Sequence, residues 1–273
     1  MEIRKSERRR AKIRLGIQGP SGSGKTYSSL LLASGLTNGD FTKICIIDTE
    51  GGSGDLYSSL GNYYVLQLAK PYNPERFVEA LDATEKAEFE VIIIDSLSLE
   101  WSGDGGILDV HGNLPGNSFT NWAKLTPRHN ALIQRILQSS SHIIATLRTK
   151  QDYILQDKGG KLVPERVGLA AVQRDDLSYE FTIQLELDLR HNAVASKDRT
   201  NLFCDKPPFV ITRETGLKVL NWCNLGKSLE SAKVELKQAK DIAGLRETLK
   251  KYPEFRKELE PLAIKEKNAI EYL

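Results

Sequence analysis

The eight residues from Gly19 to Thr26, Gly-Pro-Ser-Gly-Ser-Gly-Lys-Thr, constrain this chain more than any other segment. They complete the pattern Gly-x4-Gly-Lys-[Ser/Thr]. Apolar residues precede them at Ile13, Leu15 and Ile17, and Leu30, Leu31 and Leu32 follow. The pattern predicts a strand that enters a tight turn and releases a helix. In a turn made of Gly19, Pro20, Ser21, Gly22, Ser23 and Gly24, backbone N–H groups can converge on phosphate, and the helix N-terminus adds its positive end. Lys25 then reaches the β- and γ-phosphates of a nucleoside triphosphate, and Thr26 offers a hydroxyl to Mg²⁺. A chance Gly/Ser turn would lack the flanking strand and helix.

The surrounding chain predicts the fold that presents such a turn. Short β-branched runs at Lys12–Gln18, Lys43–Asp48, Val91–Asp95, His142–Leu147, Phe181–Leu189 and Phe209–Thr212 read as strands. Their continuous apolar character suits a parallel sheet covered on both faces. Helices are expected at Lys25–Gly35, at Pro74–Glu88 behind the cap Asn73, and at Pro127–Gln138 behind Thr126. Strand–helix alternation up to residue 150 predicts a doubly wound α/β sheet. Beyond it the chain turns to strands that extend the sheet by hairpins. Ser96–Asn117 and Thr149–Asp176 show no clear period and read as long functional loops.

A triphosphate site needs a second acid to hold the metal. Val91-Ile92-Ile93-Ile94-Asp95 is an apolar strand ending in a carboxylate, so Asp95 is expected beside Thr26. Hydrolysis also needs a group that orients or deprotonates water. Asp48 and Glu50 close the second strand, and Glu100 is a rival beyond Asp95.

Composition bounds the setting. The chain has 273 residues, 27% of them charged, with 38 Lys+Arg against 36 Asp+Glu, which excludes charge-driven disorder and a uniformly basic nucleic-acid coat. Residues 1–14 carry seven basic and two acidic residues, so residues 1–12 read as a basic arm ahead of an acidic body. No run approaches the roughly 18 apolar residues of a membrane span, and the basic start has no apolar stretch behind it as a secretory signal requires. Cys45, Cys204 and Cys223 show no CxxC spacing and fit a reducing cytoplasm. His111, His129, His142 and His191 lack metal-ligand spacing. Past Gly226, Ser228–Lys251 and Pro253–Ile270 read as charged amphipathic helices, so residues 1–226 are expected as the core and 227–273 as a small helical appendage.

With these residues in view, the chain resembles the RecA/RadA group of P-loop ATPases, and more closely the phage-encoded members linked to single-strand annealing and recombination. Ile47-Asp48-Thr49-Glu50 resembles the second strand of that group, whose terminal glutamate activates water. Ser118-Phe119-Thr120-Asn121-Trp122-Ala123-Lys124 with Thr126-Pro127-Arg128-His129 is similar to a stretch of the phage proteins. So is Val163-Pro164-Glu165-Arg166-Val167-Gly168 with Gln173-Arg174-Asp175 and Tyr179-Glu180-Phe181. Ser196-Lys197-Asp198-Arg199 resembles the Lys-x-Arg element that related ATPases insert into a neighbouring subunit's site.

The resemblance, over about residues 13–205, implies a RecA-like core that binds ATP and Mg²⁺. It implies that Glu50 acts on water and that Lys197 and Arg199 act in trans within a ring or filament. The γ-phosphate sensor at the fourth strand, often Gln or Asn in the group, is replaced by Thr146 or Arg148. Single-stranded DNA is expected on the two long loops, through Trp101 in the first and Lys150, Lys158, Lys161 and Arg166 in the second. A single-strand-binding protein is a further expected partner of the tail, and the bacterial cytoplasm of a phage-infected cell is the expected location. Two other readings use the same loop: a P-loop kinase of small molecules, and a non-catalytic module switched by ATP.

Overall fold

The computed structural model describes residues 11–157, 162–225 and 229–271. In chain order the regular elements begin with β1 (Arg14–Gly19), α1 (Lys25–Leu36), β2 (Ile44–Asp48), β3 (Tyr64–Gln67), α2 (Pro74–Lys86) and β4 (Val91–Asp95). Next come α3 (Ser98–Ser102), α4 (Ile107–Asn113), α5 (Ser118–Leu137), β5 (His142–Asp157) and β6 (Leu162–Ala171). Then follow α6 (Leu177–Glu180), β7 (Ile183–Leu187), β8 (Asn192–Asp198), β9 (Phe209–Val210) and α7 (Arg213–Asn224). The chain ends with α8 (Leu229–Lys237), α9 (Ile242–Lys251) and α10 (Arg256–Glu271).

The sheet runs β3-β2-β4-β5-β1-β7-β8-β9, with β6 paired to β5 off this path. From β3 to β7 every neighbour is parallel, while β7–β8 and β8–β9 are antiparallel. This is the mainly parallel α/β core, extended by antiparallel strands, that the sequence predicts. The reason lies in the strands themselves. Val91–Asp95 and Ile44–Asp48 are buried at every position, which only a sheet covered on both faces allows. On one face, Phe77, Ala80 and Leu81 of α2 and Leu132, Ile133 and Ile136 of α5 join the strand residues Ile47, Ile92, Ile94 and Ile143 in one apolar cluster. Among the described residues, no helix is long and apolar enough to cross a membrane.

Two compact units divide the chain, Lys12–Trp222 and a second that takes in the described residues from Cys223 onward. Within the second, Ala232, Leu236, Leu245, Tyr252, Leu259 and Ala263 form a small core between α8, α9 and α10.

Several elements depart from the sequence pattern. The helix expected at Pro127 begins nine residues earlier: Asn117 caps it by accepting the Phe119 N–H at 2.8 Å, and Pro127 lies inside α5. Ser96–Asn117 is not one loop but holds α3 and α4. Thr149–Asp176 is largely a hairpin, with Thr149 opposite Ala171 and Asp157 opposite Leu162. The tail segment Ser228–Lys251 is two helices, because Asp241 accepts the Gly244 N–H at 2.7 Å and starts α9 there. Cys45 and Cys223 are buried and Cys204 is exposed, and among the described residues none of the three forms a disulfide. The basic arm falls in residues 1–10 and so lies outside the described residues, apart from Ala11 and Lys12.

Candidate nucleotide site

The turn after β1 has the backbone its sequence demands. Gly22 and Gly24 sit at φ 80° and 84°, a left-handed conformation that side chains rarely adopt. Gly24 is the N-cap of α1 and makes no side-chain cap, so the first N–H groups of the helix are left for an anion. Lys25 folds back over the turn, its Nζ donating to the carbonyls of Gly19 and Pro20, each at 3.0 Å. Burial pulls the Lys25 pKa down, while the charges of Asp95 and Glu50 act in the opposite direction. An ammonium in this state gains by meeting a phosphate, because it has already lost much of its water.

Asp95 stands at the end of β4, opposite Asp48 in the neighbouring strand. Its Oδ2 accepts the Thr26 hydroxyl at 2.5 Å and its Oδ1 accepts that of Thr146. The residue is 1% exposed, and burial raises its pKa although both hydroxyls act to lower it. A hydroxyl and a carboxylate oxygen in contact are the hard-oxygen donors that Mg²⁺ uses when phosphates and water fill its other positions. Thr26 and Asp95 therefore fit that ion.

The two carboxylates at the end of β2 divide their work. Asp48 is fully buried and accepts the N–H groups of Glu50 at 2.7 Å, Gly52 at 2.8 Å and Gly54 at 3.2 Å. Its oxygens are used up in shaping the loop, which leaves Glu50 as the carboxylate that faces the cleft. Glu50 meets Arg148 from the end of the buried part of β5, Nη2 to Oε1 at 2.8 Å. The rival Glu100 is fully buried elsewhere, held by His129 Nδ1 at 3.0 Å and Gln173 Nε2 at 3.2 Å.

Together Gly22, Gly24, Lys25, Thr26, Glu50 and Asp95 line a cleft of about 680 Å³. The sequence did not reveal its other wall. Tyr27 and Tyr57 lie with ring centroids 5.9 Å apart, and Val210, Ile211 and Thr212 line the cleft as well. His191, in the turn between β7 and β8, places Nδ1 3.0 Å from the Ser23 carbonyl and thus buttresses the phosphate turn. The Asp188 carboxylate builds the β7–β8 turn by accepting the N–H groups of Arg190 and Asn192, and nothing in the local sequence announces the contact this turn makes 168 residues away.

Of the sensor candidates, Thr146 is fully buried against Asp95, and Arg148 is the one whose side chain reaches Glu50. Lys197 and Arg199 do not line the cleft of their own chain. Lys197 Nζ donates to the carbonyls of Ser178 at 2.8 Å and Tyr179 at 2.5 Å, and Arg199 Nη2 donates to that of Tyr179 at 2.8 Å. Trp101 is half-buried: it stacks on Trp122 at 5.8 Å and meets the edge of His129 at 5.5 Å. Lys150 is exposed where the hairpin begins. Lys158 and Lys161 lie outside the described residues; Arg166 falls on β6 opposite Tyr153, and its side chain lies outside them too.

A family model described as an AAA domain matches residues 11–206, and so takes in the phosphate turn, both carboxylate strands and β8. No curated protein matches the chain.

Proposed function

Because the chain belongs to this AAA-domain family of P-loop ATPases, we propose that it is a Mg²⁺-dependent ATPase of RecA-like type that acts on single-stranded DNA. In this reading it serves phage-type annealing or recombination in the cytoplasm of the host cell. The observation that carries the reading is the convergence of Lys25, Thr26, Asp95 and Glu50, from three strand ends, on one cleft.

The geometry supports the following roles. The turn of Gly19–Thr26 binds the triphosphate, and Lys25 exchanges its two carbonyl partners for phosphate oxygens. Thr26 and Asp95 would hold Mg²⁺, which neutralises phosphate charge when bound. Glu50 orients a water and takes its proton; Arg148 holds Glu50 until a γ-phosphate competes for the guanidinium. Phosphoryl transfer is catalysed mainly by position and charge, so a cation from a neighbouring subunit can set the rate. Lys197 and Arg199 suit that task, since among the described residues their cationic groups meet backbone carbonyls and no carboxylate. Head-to-tail assembly into a ring or filament then completes each site. Lys150 and the hairpin it begins, with Trp101, are the proposed DNA contacts, and a single-strand-binding protein is a candidate partner of the C-terminal helices.

Phosphate release by the unmodified protein and by Glu50→Gln, each with and without single-stranded DNA, tests this. Turnover should rise with DNA and fall by about 10²-fold or more in the variant, while ATP still binds. Equal turnover by both proteins would remove Glu50 from its role, and indifference to DNA would remove the DNA-dependent part.

A further inference from the structure

A second cavity, about 590 Å³, opens on the other side of the β1 end, between the root of the β5–β6 hairpin, β7 and β8. It shares no residue with the nucleotide cleft. At its polar end two amides meet: Gln184 Nε2 donates to Gln18 Oε1 at 2.6 Å, and both residues are nine-tenths buried or more. Among the described residues, Gln184 Oε1 has no hydrogen-bond partner. Burying an acceptor without a donor is costly, so such an atom marks a place where a donor belongs. Leu147 and Leu177 supply apolar wall, and Arg174, Lys197 and Glu186 stand around the opening. The Tyr179 ring, 70% exposed, lies at the same rim, with Lys197 Nζ 5.9 Å from its centroid.

We propose that this cavity receives an amine-bearing base of single-stranded nucleic acid, its exocyclic N–H₂ donating to Gln184 Oε1. The proposal rests on the single-stranded DNA reading above and names where that strand is read. The chemistry selects the ligand. Side-chain amides and carboxylates are the groups that read base edges: an amide meets adenine, and a carboxylate accepts from the amine of cytosine. Here both acceptors, Gln184 Oε1 and Glu186, face a ligand that must bring donors. Arg174 lines the cavity within reach of its phosphate, and an exposed tyrosine ring offers a stacking face. Gln18 directly precedes Gly19, and Lys197 is the cation proposed to act in trans. A base seated here therefore touches both the phosphate turn and the assembly element.

Fluorescence anisotropy with oligo(dC) and oligo(dT) of equal length tests the assignment on the full chain. The unmodified protein should bind oligo(dC) more tightly by about fivefold or more, since one good base contact carries that discrimination. Gln184→Met should erase the difference while leaving ATP binding intact. Should that variant not fold, photo-crosslinking of the unmodified protein to an oligonucleotide carrying 5-iodocytosine decides, with the adduct expected on Tyr179. Binding of both strands with no preference and no adduct at Tyr179 would overturn the cavity assignment while the DNA reading stands. No binding of either strand would overturn both. Altered self-association of Gln184→Met with unchanged DNA binding would overturn it in favour of a second copy of the chain.

Discussion

At the scale of single residues, Asp95 shows how a proposed metal ligand weakens the fold that carries it. Its carboxylate is 1% exposed and burial raises its pKa, so the folded state prefers it protonated. Stability from this group is full below the ordinary carboxylate pKa and is lost as pH rises through the raised one. The ionised form carries the cost of burial, which the two donating hydroxyls partly offset. Asp95→Asn should therefore raise the melting temperature of the nucleotide-free protein while removing Mg²⁺-dependent ATP binding. A lower melting temperature would mean that the ionised carboxylate stabilises the fold. Residues of this kind are legible in sequence where their roles are set by local spacing, as for Gly19–Thr26 or for Asp95 at the end of an apolar strand. Glu50 could be separated from Asp48 only by seeing which of them spends its oxygens on neighbouring N–H groups. His191 and Tyr57 reach the cleft through the fold, and nothing near them in sequence announces it, whereas Arg148, expected as one of two sensor candidates, meets Glu50 at its edge.

At the scale of elements, β5 carries the fold and part of the site on one strand. Its first residue, His142, is buried and accepts the Ile13 N–H at 3.0 Å, which ties β5 to the start of β1. Burial, with the charges of Lys12 and Arg14 adding to it, pushes its pKa down to about 3. A depressed folded pKa means that the stability is present above about 6.5, the ordinary histidine value, and lost as pH falls toward 3. The loss should approach 1.4 kcal/mol per pH unit. Urea midpoints measured down this range should fall faster for the unmodified protein than for His142→Gln. Parallel curves would show that the imidazole keeps its proton equilibrium on folding. The parallel strands β1, β2, β4, β5 and β7 were readable because apolar runs leave them few alternatives; β3 was not, since its residues are exposed or half-buried and form no such run. The hairpin beyond residue 149 was not, since its sequence mixes Lys, Gln, Asp and Gly without strict alternation, and its strands pair with each other. The early start of α5 was hidden by Pro127, which reads as a first-turn residue yet sits in the helix interior.

At the scale of the whole molecule, the chain is two units with separate cores, and the matched family segment ends at residue 206, within the first of them. The small helical core of Leu236, Leu245 and Leu259 draws nothing from the strand residues that form the site. Removing residues 228–273 should leave a soluble protein with a cooperative thermal transition and undiminished ATP binding; an insoluble product would show that these helices complete the core. The change of texture past Gly226 is what set residues 227–273 apart in sequence; the compact units divide between Trp222 and Cys223. What unites the molecule functionally is the claim that Lys25 and the turn around it grip a triphosphate. Calorimetric titration of Mg·ATP into the unmodified protein and into Lys25→Ala measures this directly. The account predicts saturable binding, one nucleotide per chain, that disappears in the variant; equal binding by the two proteins would contradict it.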